Sequence, residues 1–247
     1  MTTAWSVEPE WAGETAAILA SGPSLTREQC EAVHGKCRVI AVNNQGIDTD
    51  CDGVRVPAMA PWADVLYAAD AKWWRCYHDR ALKFAGRKVT IRDTLPWPEV
   101  YSLKQSSDHP TFDPRPTHLV SGGNSGYQAL HLAVHLGAKR VLLIGYDMKD
   151  GRGRRRHWFG SHPAKLDSRG NFTGWIRAFD KFAGVLTRMG IEVINCTPTT
   201  ALRCFRLAPL AEVLEVPLHG ERVRGVHPEL DQRLLHGLRH HAVQLRV

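Results

Sequence analysis

The sequence lacks the marks of a membrane protein and of a secreted protein. Its 247 residues contain no uninterrupted apolar run of the roughly 18 residues that a membrane span needs. The first residues, MTTAWSVEPEWAGE, do not follow the basic and then apolar order of a secretory signal. These absences predict a cytoplasmic chain with no membrane span.

Several patterns that mark metal or nucleophile chemistry are also missing. The six cysteines form no C-x-x-C pair and no zinc-type spacing, which predicts reduced, mostly structural thiols. Walker A, G-x-G-x-x-G, G-x-S-x-G and H-E-x-x-H motifs are absent. Hydrolase, zinc protease and disulfide redox functions are therefore disfavoured, and no metal site is predicted.

Positive charge is in excess, with a formal net charge of +7. Much of this excess lies in the run GRGRRRH (151–157) and in the C-terminal tail. A basic run can bind nucleic acid, but holding a small phosphate or simply being solvated explains it equally well. The composition therefore leaves nucleic acid open as a partner without favouring it.

Short apolar runs that alternate with helical segments predict one α/β domain of the Rossmann type. The runs TAAIL, RVIAV, VLLIG and IEVINC are typical of buried strands in a parallel sheet with helices on both faces. We expect an N-terminal extension over 1–14, the domain over 15–215 and a basic tail over 216–247. The proline-rich segment 95–118 is predicted to be a loop, either a lid or a surface insertion.

Two turns of small residues are candidates for phosphate binding. They are Ser21-Gly22-Pro23-Ser24 and the segment SGGNSG at 121–126. A turn that opens a helix presents backbone N–H groups and the positive end of the helix dipole to an anion. An ordinary strand-to-helix turn explains each of them alone, but at the carboxyl ends of parallel strands they would converge on one ligand-binding crevice.

Polar residues follow the predicted strands at the same edge of the sheet. They are Asn43, Asn44, Asp70 and Asp147, and each could also be no more than a turn former. Side chains at these positions point into the crevice of an open α/β sheet. Asp147 could bind a sugar hydroxyl or, less readily, a divalent cation.

The segment HWFGSHP (157–163) contributes two histidines. His157 and His162 are five residues apart, so a metal-binding pair on one face of a helix is not predicted. A histidine in a polar loop suits proton transfer, because its reference pKa of about 6.5 lies near neutrality. Four arginines just before the segment could bind a phosphate, although a charge run is more often a solvated loop. They are Arg152, Arg154, Arg155 and Arg156.

Six motifs follow one another along the chain. They are G-P-S-L at 22–25, N-N-Q at 43–45, S-G at 125–126, G-Y-D at 145–147, the histidine loop and C-T-P at 196–198. In this order the motifs resemble a superfamily that unites bacterial CMP-sialic-acid sialyltransferases with archaeal 6-hydroxymethylpterin diphosphokinases. The likeness covers roughly residues 15–205. The chain also looks like uncharacterised proteins of tailed bacteriophages, which carry a Y-D-M strand end and an H-W loop.

The resemblance implies a nucleotide site. The turn at 22–24, Asn43 or Asn44, and Ser125-Gly126 would hold the nucleotide phosphates and ribose. Because Ser21 stands where the sialyltransferases have Asn, CMP-sialic acid itself does not follow. The whole predicted binding set is Ser21, Gly22, Pro23, Ser24, Asn43, Asn44, Asp70, Ser125, Gly126, Asp147, Arg156, Thr197 and Pro198.

The resemblance also implies that a histidine of the loop deprotonates the acceptor hydroxyl. His162 matches the position of that base better than His157, with an offset of one residue that leaves the choice open. The predicted catalytic residues are therefore His162 and His157.

Three functions follow as hypotheses. The leading one is a glycosyltransferase-like group transferase that needs no cofactor and joins a nucleotide-activated donor to a small-molecule, glycan or modified-nucleobase acceptor. The second is a diphosphokinase that uses ATP and Mg²⁺, with Asp residues as candidate ligands. The third is a non-catalytic, nucleic-acid-associated protein. The expected setting is the cytoplasm of a bacterium or of a phage-infected cell.

Overall fold

A computed structural model describes residues 1–51, 54–162, 166 and 170–216. Five α-helices lie in these residues: α1 (Arg27–Val33), α2 (Ala71–Ala81), α3 (Ser125–His135), α4 (Phe172–Arg188) and α5 (Leu210–Leu214). The strands are β1 (Thr3–Ala4), β2 (Thr15–Leu19), β3 (Arg38–Val42), β4 (Thr49–Cys51), β5 (Val54–Val56), β6 (Val65–Tyr67), β7 (Arg87–Thr90), β8 (Val100–Ser102), β9 (Lys104–Gln105), β10 (His118–Leu119), β11 (Arg140–Ile144), β12 (Glu192–Asn195) and β13 (Arg206–Leu207).

Nine of the described strands form one parallel sheet. Their order is β1-β8-β7-β6-β3-β2-β11-β12-β13. From β2 the chain adds β3, β6 and β7 on one side, and it later adds β11, β12 and β13 on the other. The direction of growth therefore reverses between β2 and β11, which is where open α/β sheets bind ligands.

Helices cover both faces of this sheet. Every residue of β2 and β11 is buried, because successive side chains point to opposite faces and both faces are covered. Ile18 packs in the cluster that contains side chains of α3 and α4, whereas Leu19 packs in the one that contains side chains of α1, α2 and α5. The prediction of a Rossmann-like parallel sheet with helices on both faces is confirmed.

The prediction of a loop over residues 95–118 is wrong. The segment contains β8, which pairs with β1 and β7 in the main sheet, and β9, which pairs with β10. Strands of two or three residues have too few positions to show a periodic pattern, so only their pairing partners reveal them. The first residues also belong to the packed structure, since β1 is an edge strand and Val7 and Trp11 lie in the core.

No α-helix of the described residues is both long enough and apolar enough to cross a membrane. The predicted basic tail, apart from residue 216, lies outside the described residues. The cytoplasmic location stays a prediction.

Candidate active-site crevice

A crevice opens at the carboxyl-terminal edge of the sheet, beside the switch point between β2 and β11. It contains a small pocket of about 150 Å³ and an adjoining large pocket of about 410 Å³. The loops after β2, β3 and β11 and the first turns of α3 and α4 contribute to the walls. The residues that line both pockets are Asn43, Asn124, Ser125, Arg156, His157, Phe172 and Trp175.

The small pocket contains much of the predicted binding set. The loops after β2 and β11 both line this pocket. The members of the set that line only the small pocket are Ser21, Gly22, Pro23, Gly126 and Asp147.

The turn after β2 is tied closely to the end of β11. The backbone N–H and the hydroxyl of Ser24 donate to the two carboxylate oxygens of Asp147, at 3.2 and 2.9 Å, and the N–H of Gly22 donates to the carbonyl of Gly145 at 2.9 Å. A Cβ on Gly22 would overlap that carbonyl and the Asp147 carboxylate. Gly22 is therefore required by the close approach of two protein loops. Two N–H groups that the sequence suggested for phosphate are already used.

Burial dominates the electrostatics of Asp147. The residue is 2% exposed, and the loss of solvent raises the pKa of its carboxyl group even though the hydrogen bonds from Ser24 act in the opposite direction. Its two oxygens accept hydrogen bonds from the protein, so this side chain holds the crevice in shape.

The start of α3 presents the N-terminus of a helix to the crevice. Asn124 is the N-cap, and its side-chain oxygen accepts a hydrogen bond from the N–H of Tyr127 at 2.9 Å. Ser125 and Gly126 form the first turn and line the crevice. The positive end of an 11-residue helix therefore lies at the small pocket. The sequence-based set omitted Asn124, although its position before a Ser-Gly helix start was a capping signal.

The structure separates Asn43 from Asn44. Asn43 lines both pockets and has a left-handed backbone conformation, with φ of 59°. Asn44 is fully buried, where its amide donates to Thr49 at 2.7 Å and accepts from the indole of Trp73 at 2.8 Å. Asn43 is thus the one available to a ligand, and Asn44 fixes the turn.

Three other predicted residues have mainly structural contacts. Asp70 borders the large pocket, but its carboxylate caps α2 by accepting from the N–H of Lys72 at 2.7 Å. The buried hydroxyl of Thr197 accepts from the N–H of Tyr146 at 2.8 Å and so positions the end of β11. Pro198 is exposed, and neither it nor Thr197 lines the two pockets.

The two predicted histidines lie together in the crevice. His157 lines both pockets and His162 the large one, and their ring centroids are 4.6 Å apart at an interplanar angle of 63°. The N–H of Gly160 donates to the carbonyl of His157 at 3.0 Å, and this tight turn brings His162 back towards His157. Their spacing of five residues excludes one helical face, but it does not keep them apart in a turn.

An aromatic wall that the sequence analysis missed closes one side of the crevice. Phe172 and Trp175 lie in the first turn of α4, border both pockets and meet edge to face with centroids 5.4 Å apart. Arg156 adds a positive charge to the lining of both pockets, and its Nε lies 3.6 Å from a carboxylate oxygen of Asp150. Phe172, directly after the helix cap Asn171, was the available signal, because the start of a helix at the carboxyl edge of a sheet faces the ligand site.

The described residues also contain a group of potential metal ligands outside the lining of these two pockets. One ligand atom from each of Asp108, His109 and Asp113 lies within 4.8 Å of the others. Arg115 pairs with both carboxylates, and its hydrogen bonds hold the pKa of Asp113 well below its usual range. A guanidinium therefore already occupies the position between them.

Comparisons with known proteins show what this architecture is similar to. No protein-family model matches the chain, and no curated protein matches it. Among solved structures, the chain is similar to the sialyltransferase CstII from Campylobacter jejuni, determined in complex with a substrate analogue, cytidine-5′-monophosphate. The similarity covers 81% of this chain and 86% of that one, with a TM-score of 0.51 and 13% sequence identity.

An identity this low shows the fold alone. The chain has a Rossmann-like α/β fold, and that fold is similar to the fold of this sialyltransferase. This agrees with the sialyltransferase part of the resemblance in the motifs. The likeness to diphosphokinases and to phage proteins stays a prediction.

Proposed function

We propose that this chain is a group transferase that uses a nucleotide-activated donor in the manner of a glycosyltransferase. The observation that carries the proposal is the crevice at the switch point, where a helix N-terminus, Arg156 and a pair of histidines border two adjoining pockets. The fold gives independent support, because the similar sialyltransferase was solved with cytidine-5′-monophosphate.

The small pocket would hold the donor phosphate. The start of α3 supplies a positive dipole end, and Lys149 and Arg156 add positive side chains to the lining. Ser125 and Asn43 offer neutral hydrogen-bonding groups beside them. This arrangement favours an anion, and it would stabilise the charge that develops on the phosphate as it leaves.

The large pocket would hold the acceptor. His162 lies in this pocket, so in the proposal it takes the proton of the acceptor hydroxyl while the acceptor oxygen bonds to the donor carbon. The bond between that carbon and the phosphate oxygen breaks, and the electron pair leaves with the nucleotide. His157, which borders both pockets, would contact the leaving phosphate.

The diphosphokinase hypothesis is less well supported by the side chains present. Both oxygens of Asp147 accept hydrogen bonds from Ser24, and Asp70 caps α2. A Mg²⁺ ion bound to either carboxylate would have to displace these contacts. Dependence of ligand binding on Mg²⁺ therefore separates the two enzyme hypotheses.

A thermal-shift screen tests the proposal. The ligands are CMP, UDP, GDP and ADP with their sugar conjugates, and ATP with Mg²⁺. A ligand present at about one hundred times its dissociation constant stabilises the protein by roughly 2.7 kcal/mol, which raises Tm measurably. We expect at least one sugar nucleotide to raise Tm without Mg²⁺.

A pair of variants locates the binding in that screen. Arg156→Gln is expected to reduce the shift, whereas Lys36→Gln, in the turn between α1 and β3 at the opposite edge of the sheet, leaves it unchanged. Silence of every nucleotide at millimolar concentration contradicts the proposal. A shift seen only with ATP and Mg²⁺ replaces it by the diphosphokinase hypothesis.

A further inference from the structure

A group of exposed arginines borders the crevice beside the small pocket. The loop from 149 to 156 contains five basic residues and one acid, Asp150. Arg156 and Lys149 line the small pocket, while the other three basic side chains lie on the surface. We call these three residues the arginine rim: Arg152, Arg154 and Arg155.

The arginine rim has a defined backbone. The N–H of Gly151 donates to the carbonyl of Arg155 at 2.7 Å, and the N–H of Arg155 donates to the carbonyl of Arg152 at 3.3 Å, which closes a short 3₁₀ turn. Arg154 has a left-handed φ of 61°, a conformation that costs a non-glycine residue about 1 kcal/mol. The loop is therefore a compact turn with local strain.

Both ends of the loop are attached to the turn after β2. At one end Gly151 packs against Pro23, where a Cβ would come within 2.9 Å of the proline ring. At the other end the N–H of Trp158 donates to the carbonyl of Ser21 at 3.2 Å. The arginine rim is thus fixed next to the small pocket.

The positive charge of the arginine rim is not neutralised by its surroundings. The acid in the loop, Asp150, lies beside Arg156, and the three rim guanidiniums make no ion pair with any residue that the structure describes. Adjacent like charges repel one another, so a ligand that carries several regularly spaced negative charges would be bound favourably.

We infer that the arginine rim binds the phosphate backbone of a nucleic-acid strand and that a nucleotide of this strand enters the large pocket as the acceptor. The second half of this inference rests on the proposed function. The aromatic wall favours a strand over an acidic peptide, because Phe172 and Trp175 offer rings on which a base can stack. Stacking on aromatic side chains beside a basic groove is a common way to bind single strands.

Fluorescence anisotropy with a labelled single-stranded oligonucleotide tests the inference, with no donor nucleotide present. We expect affinity to fall as salt is added. Each phosphate contact on a single strand contributes about 0.7 to the slope of log K against log salt, so Arg152→Gln/Arg154→Gln/Arg155→Gln should reduce that slope by about 2. The same variant should bind at least about tenfold more weakly at low salt.

A control variant removes the same charge from the opposite edge of the sheet. Lys36, Lys139 and Arg188 are exposed residues in or before the turns that precede β3, β11 and β12. Lys36→Gln/Lys139→Gln/Arg188→Gln should change the affinity by less than about twofold, because at these positions the charges act only through the screened field of the whole protein. Equal losses of affinity in the two triple variants would show that binding depends only on net charge, and this result would overturn the inference.

Two further measurements separate the possible outcomes. Trp175→Ala should weaken binding of the single strand more than that of its duplex, since only an unpaired base can stack on the wall; equal effects would overturn the entry of a nucleotide into the large pocket. Negligible strand binding at physiological salt, or equally tight binding of polyglutamate, would overturn the inference altogether. Neither result affects the thermal-shift test of the donor, which contains no nucleic acid.

Discussion

Two pairs of histidines have nearly the same separation between their rings but lie in different surroundings. The ring centroids of His157 and His162 are 4.6 Å apart in the crevice, and those of His131 and His135 are 4.7 Å apart on α3. The first pair, here the crevice pair, borders a pocket of about 410 Å³. In the second, here the buried pair, His131 is fully buried and His135 is half-buried. The environment of each pair, more than the distance between its rings, decides what the rings can do.

The buried pair holds the fold together. Nδ1 of His131 accepts from the N–H of Val120 at 3.1 Å, and its Nε2 donates to the carbonyl of Asp113 at 3.0 Å. Both nitrogens of the neutral ring are therefore used, and they tie the segment before α3 to the helix. Nε2 of His135 likewise donates to the carbonyl of His118 at 3.0 Å.

This contrast shows the limit of spacing arguments. His131 and His135 have the i, i+4 spacing that can place two metal ligands on one helical face, yet their Nε2 atoms bond to backbone carbonyls. His157 and His162 lack that spacing and still meet in an open crevice. The proposed function gives catalytic work to the crevice pair, and the following predictions test that proposal.

The largest expected effect is on turnover. Once a donor and an acceptor are identified, His162→Ala should lower kcat by about 100- to 10,000-fold, the usual contribution of a positioned general base, with little change in donor affinity. His157→Ala, unlike His162→Ala, should also weaken donor binding, because His157 borders the small pocket. Steady-state kinetics and the thermal shift with donor measure the two effects.

The buried pair supplies the control for this experiment. His135→Gln should leave KM for the donor unchanged, because His135 is not among the residues that line the two pockets. Wild-type turnover in both His162→Ala and His157→Ala would show that this loop does not supply the general base. The proposed difference in catalytic role between the two histidine pairs would then be wrong.

A smaller effect is expected on stability. His131→Ala should lower the free energy of unfolding by about 3 kcal/mol, because it opens a cavity and leaves the buried N–H of Val120 and the carbonyl of Asp113 without their partner. His34→Ala, at a side chain that is 51% exposed, should cost about 0.5 kcal/mol or less. Denaturant unfolding measures both, and equal losses would show that burial does not distinguish these histidines.

The main features of the fold could be predicted because they depend on long apolar runs. β2, β3, β11 and β12 each have four or five consecutive residues that are mostly buried, and such runs are visible in the sequence. β1, β8 and β13 have two or three residues each and are specified by pairing at the sheet edges, which a local pattern does not record. The antiparallel strands β4 and β5, of three residues each, form a separate sheet and were also not predicted, because they too are short.

The candidate site was predictable where backbone geometry depends on residue type. Asn43 follows a buried strand and adopts the left-handed conformation that asparagine tolerates, so its position was informative. Trp175 gave no such signal, since an aromatic residue in an amphipathic helix more often packs in the core. The contact between His157 and His162 depends on a tight turn whose geometry the sequence alone did not suggest.

The last prediction concerns pH and has the smallest expected effect. Burial, with His135 nearby, lowers the pKa of His131 to about 3, against a reference of about 6.5 for an exposed histidine. Between these values the folded protein binds fewer protons than the unfolded chain, so this contribution to stability is complete above about pH 6.5 and is lost as the pH falls. Between about pH 7 and pH 5 the loss from this one group amounts to about 2 kcal/mol.

The measurement is the free energy of unfolding as a function of pH in wild type and in His131→Gln. The variant should show a shallower dependence, although not a flat one, because burial also lowers the pKa of His135. Near-UV circular dichroism at neutral pH first checks that the variant keeps its tertiary packing. If the free energy of unfolding has the same pH dependence in both proteins, groups other than His131 cause the loss of stability in acid. The burial and hydrogen bonds of His131 would then not distinguish the buried pair from the crevice pair.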